Sequence, residues 1–506
     1  MIKKFLLLIM AALVLTVSSC NKKEDPKITT EPTPDDISIF VWAAMFDYYL
    51  WYDQVDNLNP NILQDNNMFY SYLNGFGSNY SALFEDLLYQ RGVVDKWSWI
   101  IEDWEEQERS FSGISTSMGY DFRLVQFSNS DNIFGYVRYV IPNSPADNAG
   151  LKRGDLFMEV DGEPLTISNY IFLLFEQGSY ELSLAEFVDP STIGLIPGAT
   201  VSMTAEEIQE DPVLVARVFE DIGDGVKTAY LMYNAFTSDF DMSLNETFGD
   251  FKSQGVERLI LDLRYNGGGS IRSAIHLASM IYSTDDTKVF AQSNYNDKFQ
   301  QAYIDYYGEE ALIDNFTSLL DTTTYNHSAS LPPINNLSLD EVYIITSSGT
   351  ASASEMIING LNPYINVIQV GDTTRGKYVG SFTIKDWYTT SDGSISTEHK
   401  WAIQPITLKI SNSEGESDFI DGLYPDLAIE EDFRELLPLG NPDEVLLAAT
   451  IDYIVGTTKS SVQTKGEPLN YRVIADSKDF KPFSKEMYLR YPKIKNEGPD
   501  ILREFK

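Results

Sequence analysis

Gly349-Thr350-Ala351-Ser352-Ala353-Ser354-Glu355 is a small-residue turn set inside apolar sequence, and the elements on either side of it decide the architecture. Before it, Glu341–Thr346 (EVYIIT) is a β-branched run of buried-strand type. After it, residues 354–361 carry helical spacing. A second strand over 366–371 leads into Gly371-Asp372-Thr373-Thr374-Arg375-Gly376-Lys377. Upstream, residues 257–264 (ERLILDLR) form another buried strand, which opens into Asp262-Leu263-Arg264-Tyr265-Asn266-Gly267-Gly268-Gly269. A strand and turn over 226–236 and helices over 244–253 and 271–282 complete the alternation. Strands alternating with helices predict a layered α/β core over residues 213–455.

Farther upstream the texture changes. Short alternating strands, 120–127 and 135–141, lead to Pro142-Asn143-Ser144-Pro145-Ala146-Asp147-Asn148-Ala149-Gly150-Leu151-Lys152-Arg153-Gly154-Asp155, then a strand over 156–160 and the turn Asp161-Gly162. This segment, 111–212, resembles the PDZ module of bacterial processing proteases. Such domains add a peptide as a strand and capture its C-terminal carboxylate on backbone N–H groups. The resemblance puts the capturing loop at Met118, Gly119, Tyr120 and Asp121. Residues 36–110 predict a small helical domain, with helices over 37–55, 81–90 and 97–109. The aromatic residues of the first helix read as core packing, with glycan capture as the competing idea.

At the N-terminus, Lys3 and Lys4 precede the apolar stretch 5–17, and Val17-Ser18-Ser19-Cys20 follows. This is the order of a secretory signal, too short to span a bilayer. Cys20 is the chain's single cysteine, which excludes an intramolecular disulfide. Its place resembles the lipobox of bacterial lipoproteins, so lipidation at Cys20 is expected. The expected location is extracytoplasmic, anchored to a bacterial membrane. Residues 21–35, polar and proline-rich, read as a tether. The net charge of −38 argues against nucleic acid and anionic lipid as partners. Membrane contact is therefore expected through the lipid anchor only. Residues 456–506 are mildly basic and carry no recognisable role.

The three glycine-bearing turns of the core are individually weak signals. Gly371 to Lys377 matches the start of a phosphate loop, but Tyr378 stands where that loop needs a hydroxyl for Mg²⁺. His276, His327 and His399 fall in no motif and read as surface or incidental residues, which leaves a Ser-His-Asp triad without support. Taken in order, and with the PDZ-like segment ahead of them, the turns resemble those of the C-terminal processing peptidases, serine–lysine enzymes that include the tail-specific proteases. The resemblance covers about residues 111–450.

It implies a multidomain α/β protein: a helical N-terminal domain, a PDZ-like β-rich domain and a crotonase-like α/β catalytic core. It makes Ser352 the nucleophile, Lys377 the base and Glu355 a positioning residue, with polypeptides bearing free C-termini as substrates and no metal or organic cofactor. A lysine acts as base only when neutral, so its pKa must fall from about 10.4 towards roughly 7–8 by desolvation. Lys377 is therefore expected to be buried beside Ser352 Oγ, with Glu355 orienting it without a full ion pair. The helix N-terminus suits an oxyanion, with Ala353 N–H as one donor and a glycine N–H, taken as Gly268, as the other. The family form carries proline where this chain has Gly267. A lipoprotein that keeps the fold and binds proteins without cutting them is the rival expectation.

Overall fold

The computed structural model describes residues 32–127, 130–189, 192–320, 331–390, 393–457, 471–480 and 486–489. The signal, Cys20 and His327 lie outside these residues.

Six strands form the central sheet, in the order Val213–Phe219, Thr228–Tyr233, Arg258–Asp262, Glu341–Thr346, Asn366–Gly371 and Leu427–Ala428. The first pair is antiparallel and every later pair is parallel. Parallel strands are covered on both faces, so they read as continuous apolar runs. Leu259, Ile260, Leu261, Val342, Ile344 and Ile345 are all fully buried. Register then does the positioning. Asp262 pairs with Ile345 and Thr346 pairs with Gly371, which brings all three glycine-bearing turns to the same edge, at the carboxyl ends of neighbouring strands.

The PDZ domain is built on a sheet ordered Tyr471–Asp476, Tyr120–Phe127, Ile133–Val140, Leu156–Val160, Ser179–Asp189 and Thr192–Thr204. Its outermost strand comes from the C-terminal region, which the sequence left without a role. A further sheet places Met487–Tyr488 between Gly269–Ser270 and Val379–Ser381.

The N-terminal region is helical but shorter-stepped than expected. Asp35 caps the helix Asp36–Tyr48, accepting the Ser38 N–H at 3.0 Å. The helix stops at Tyr48, not Val55, because tertiary bonds take over. Leu50 N–H donates to the Ile406 carbonyl at 2.8 Å, and the Tyr49 hydroxyl donates to Asp95 at 2.8 Å. Phe40, Trp42, Phe46, Tyr48 and Tyr49 are at most 3% exposed, so the aromatic run is core and glycan capture loses its basis. Residues 97–109 divide in two. Trp99–Ile101 pairs as a strand with Ala402–Gln404, and Asp103 then caps the helix Trp104–Phe111. Among the described residues no helix is long and apolar enough to cross a membrane.

A buried ionic network joins the PDZ domain to the core. The fully buried Arg264 guanidinium meets Asp262 at 2.7 Å, Glu444 at 2.6 Å and Glu431 at 2.9 Å. Arg153, from the PDZ motif, reaches Glu431 and the Tyr265 hydroxyl, each at 2.7 Å. Burial alone would raise the Glu431 carboxyl, but Arg153, Arg264 and the Tyr265 hydroxyl hold it well below the usual range. That contribution to stability is present above the ordinary glutamate value of 4.5 and is lost as pH falls. Removing one member strands its partners in the interior. Arg264→Ala is expected to cost about 3–5 kcal/mol in urea unfolding. Glu431→Gln is expected to flatten the acid limb of stability against pH.

Candidate active site

Ser352 immediately precedes the helix Ala353–Leu361 and adopts φ 66°, ψ −119°. That conformation costs a non-glycine residue about 1–3 kcal/mol and persists only where its surroundings over-determine it. They do so here. Ala351 N–H and the Ser354 hydroxyl both donate to the Asn266 carbonyl, each at 3.1 Å, and the Thr350 hydroxyl donates to the Leu263 carbonyl at 2.8 Å. The serine turn is thereby riveted to the turn that follows Asp262. Ser352 Oγ, fully buried, has no hydrogen-bond partner among the described residues. Ser352 stands in a capping-box position, with Glu355 accepting its N–H, but its hydroxyl makes no cap hydrogen bond.

Glu355, one turn into the helix, is 0% exposed and spends both carboxylate oxygens on the neighbouring loops. Oε2 accepts Ser352 N–H at 2.7 Å and Lys377 N–H at 2.9 Å. Oε1 accepts Gly376 N–H and the Thr374 hydroxyl, each at 2.6 Å. Burial raises its pKa, and these four donors pull against that rise. Glu355 thus holds the lysine by its backbone.

Lys377 is fully buried. Its Nζ donates to Glu486 Oε2 at 3.2 Å and lies 5.1 Å from the centroid of the Trp97 ring. Burial lowers its pKa below the ordinary 10.5, opposed by Glu486, Asp95 and Glu355. The expected partner, Ser352 Oγ, is not hydrogen-bonded to it. A carboxylate absent from the sequence-based set has taken that role.

The glycine turn also differs in detail. The Gly268 N–H, taken from sequence as an oxyanion donor, is committed to Asn266 Oδ1 at 2.9 Å. The N–H that reaches a carbonyl beside the serine is that of Gly269, which donates to Glu486 O at 2.5 Å. Gly268 and Gly269 sit at φ 108° and 138°; a Cβ on Gly268 would lie 2.5 Å from Ser352 Cβ, and one on Gly269 would strike the Phe236 carbonyl. Gly267 is not among the positive-φ glycines, so the turn does not demand glycine where the family carries proline. Ala353 N–H is in the helix's first turn, where donors lack intrahelical acceptors.

Of the four predicted PDZ-loop residues, Met118 and Tyr120 line a cavity of about 500 Å³ that runs to Gly267, Gly268 and Gly269. The other two do not line it. Gly119 packs against Ser144, and the buried Asp121 carboxylate is spent on Arg138 and on the Ser477 hydroxyl. His276 is buried against Asp241 at 2.8 Å and is not a surface residue; His399 meets Asp386 at 3.0 Å. Among the described residues no group of three His, Cys, Asp or Glu side chains is arranged to hold a metal ion.

A buried serine hydroxyl, a buried lysine and a carboxylate clamp thus meet at one sheet edge, with the PDZ domain ahead of them in the chain. Residues 227–428 match the model of peptidase family S41, residues 136–179 a PDZ domain, and residues 36–99 the peptidase S41 N-terminal domain. A crystal structure of a protein assigned to the S41 proteases, from Bacteroides fragilis NCTC 9343, shares the fold with a TM-score of 0.62 and 27% identity; the match covers 85% of this chain and 99% of that one. The chloroplastic C-terminal processing peptidase of Tetradesmus obliquus is 25% identical over 283 residues, 53% of each chain. The carboxy-terminal processing protease CtpA of Bacillus subtilis (strain 168) is 22% identical over 378 residues, 74% of this chain and 68% of its own. The chain spans about half the length of the chloroplast peptidases it matches. Its α/β core is that of the S41 peptidases, with an S41 N-terminal domain and a PDZ domain ahead of it.

Glu355→Ala leaves four donors, the N–H groups of Ser352, Gly376 and Lys377 and the Thr374 hydroxyl, without this acceptor. It is expected to lower stability by about 1–3 kcal/mol for each donor that stays dry. Thr374→Val removes one of those donors and strands only the Leu423 N–H that its hydroxyl accepts, so it should cost less in total, about 1–3 kcal/mol. Denaturant midpoints for the two variants check the ranking.

Proposed function

We propose that this chain is a serine endopeptidase that cuts polypeptides near their C-termini, with Ser352 as nucleophile and Lys377 as base. The observation that carries this reading is a lysine with its charge disfavoured by complete burial, fixed through Glu355 to the same carboxylate as a strained, unpaired serine. In the reactive form neutral Lys377 Nζ takes the Ser352 hydroxyl proton while Oγ attacks the scissile carbonyl. The developing oxyanion lies between the Ala353 N–H and the glycine turn, where Gly269 N–H, which here donates to the Glu486 carbonyl, becomes a donor once that carbonyl leaves, and Gly268 N–H is engaged with Asn266 Oδ1. The lysine then returns its proton to the departing amine, leaving an acyl-Ser352 ester that water hydrolyses. Glu355 supports this chemistry because its lone pairs are filled by other donors, so it orients Lys377 without holding its ammonium.

The cavity between Met118, Tyr120 and the glycine turn supports delivery of an extended polypeptide from the PDZ domain to Ser352. The N-terminal sequence supports export and lipidation at Cys20, and with them an activity outside the cytoplasm. Labelled fatty acid incorporated into the parent and absent from Cys20→Ser would bear that out. Incorporation into both would remove the anchor assignment.

The decisive experiment incubates casein with soluble chain beginning after Cys20, beside Ser352→Ala and Lys377→Ala. Both variants are expected to lose hydrolysis by at least about 10²-fold. For the parent, kcat/KM should climb with pH through a midpoint below lysine's ordinary 10.5, since only the neutral amine works. Equal hydrolysis by all three forms would assign the chemistry to other residues. Peptide binding with no hydrolysis in any form would favour the rival, a binding lipoprotein on the same fold.

A further inference from the structure

The C-terminal region, which carries no motif, runs through both places a substrate would use. Tyr471–Asp476 pairs antiparallel with the PDZ strand Tyr120–Phe127, in the register Val473 to Val125. That is the open sheet edge at which a peptide is added as a strand. Asp476 anchors it: the buried Arg138 guanidinium donates to its two oxygens through Nη1 and Nη2, each at 2.5 Å. Phe480 then stacks on Phe175 of the helix Tyr170–Phe175, with centroids 4.1 Å apart.

The second segment lies in the cleft itself. Met487–Tyr488 runs parallel to Gly269–Ser270, and Tyr488 pairs with Ser381, four residues beyond Lys377. Gly269 N–H donates to the Glu486 carbonyl at 2.5 Å, and Leu489 N–H donates to the Ser381 carbonyl at 3.0 Å. Tyr488 stacks on Phe111 at 3.8 Å, and Met487 is 1% exposed. A backbone carbonyl is thus delivered to the glycine turn beside Ser352, as a substrate's would be. The same residue delivers a carboxylate. Glu486 Oε2 accepts from Lys377 Nζ at 3.2 Å, and Oε1 accepts from the Trp99 indole N–H at 3.0 Å.

We propose that residues 471–480 and 486–489 form a built-in pseudosubstrate: they fill the PDZ edge and the cleft, and Glu486 pairs with Lys377 so that the seated peptide is held and not cut. The proposal rests on the serine–lysine reading of the site. Its chemistry is direct, because a lysine held as ammonium by a carboxylate has no lone pair with which to take the serine's proton. Ser352 Oγ stays unpaired and Lys377 faces Glu486 for the same reason. Full activity then requires a polypeptide that displaces both segments, so the chain's resting state is closed against proteins it does not hold at the PDZ edge.

The test uses the soluble chain beginning after Cys20, with Glu486→Gln and Met487→Asp made separately. The first keeps the side chain's shape and removes its charge; the second puts a charge where Met487 is buried. Casein hydrolysis reports the catalytic effect, and hydrogen exchange across 262–271 and 377–381 reports seating without depending on catalysis. Both variants are expected to raise hydrolysis by about 10²-fold, the lower end of what a positioned general base contributes. Met487→Asp should also speed exchange in both stretches. Faster exchange with hydrolysis at the parent's level overturns the proposal, and so does a Glu486→Gln variant no more active than the parent. Cleavage of the parent between Glu486 and Met487, read by intact mass, overturns it too, since the segment is then a substrate. Absence of Ser352-dependent hydrolysis from every form is a different result and brings down the peptidase assignment itself.

Discussion

The site depends on one carboxylate. Glu355 ties Ser352 N–H, Gly376 N–H, Lys377 N–H and the Thr374 hydroxyl to two oxygens, joining the serine turn to the lysine loop. An ionised carboxyl offers about four lone-pair positions, and four donors fill them. A glutamine would present one oxygen and an NH2 group to the same donors, so the position calls for an acid. The saturation also answers a conflict inherent in the chemistry. A carboxylate must stand near a lysine base to place it, yet a free carboxylate would hold it charged. Glu355 still favours the ammonium through its charge, but its filled lone pairs leave no place for a direct ion pair with it.

Around that clamp, sheet register does what no single residue can. The carboxyl ends of Arg258–Asp262, Glu341–Thr346 and Asn366–Gly371 stand side by side, so residues nearly a hundred positions apart share one edge. The φ of 66° at Ser352 is affordable because Asn266, Leu263 and Glu355 each fix part of the turn. Below the same edge, Arg264 gathers Asp262, Glu431 and Glu444, and Arg153 extends that network into the PDZ domain. The PDZ domain is therefore docked through buried charge, whose direction-dependent bonds fix an orientation that apolar contact alone would leave loose.

This division explains what was legible in the sequence. Buried parallel strands write themselves as apolar runs, and turns at their ends write themselves as glycine and small residues; hence the core, its order and the Ser352–Glu355–Lys377 set stood out. The helix expected over 37–55 was overextended because its end is set by the Ile406 carbonyl, a partner hundreds of residues away. Gly268 and Gly269 were indistinguishable because only the Asn266 side chain decides which N–H is spent. Glu486 was invisible. It immediately precedes a two-residue strand, Met487–Tyr488, whose partners are remote and whose own pattern is too short to show a period. Tyr471–Asp476 was not legible because its burial does not alternate and the strand it pairs with, Tyr120–Phe127, is remote in sequence.

Two carboxylates flank the same lysine, and their different reach makes the site switchable. Glu355 sits within the buried helix Ala353–Leu361, whereas Glu486 directly precedes the two-residue strand Met487–Tyr488. The Lys377–Glu486 pair favours the protonated lysine when the segment is seated, and by linkage the protonated lysine favours the seated segment to the same extent. Losing the proton weakens the hold on Glu486, and losing the segment lets burial carry the lysine's pKa further down. On the serine–lysine reading proposed above, departure of the tail and arming of Lys377 as base are thus one equilibrium viewed from two sides. A substrate that displaces Glu486 without supplying a carboxylate of its own would meet a lysine made competent by that displacement.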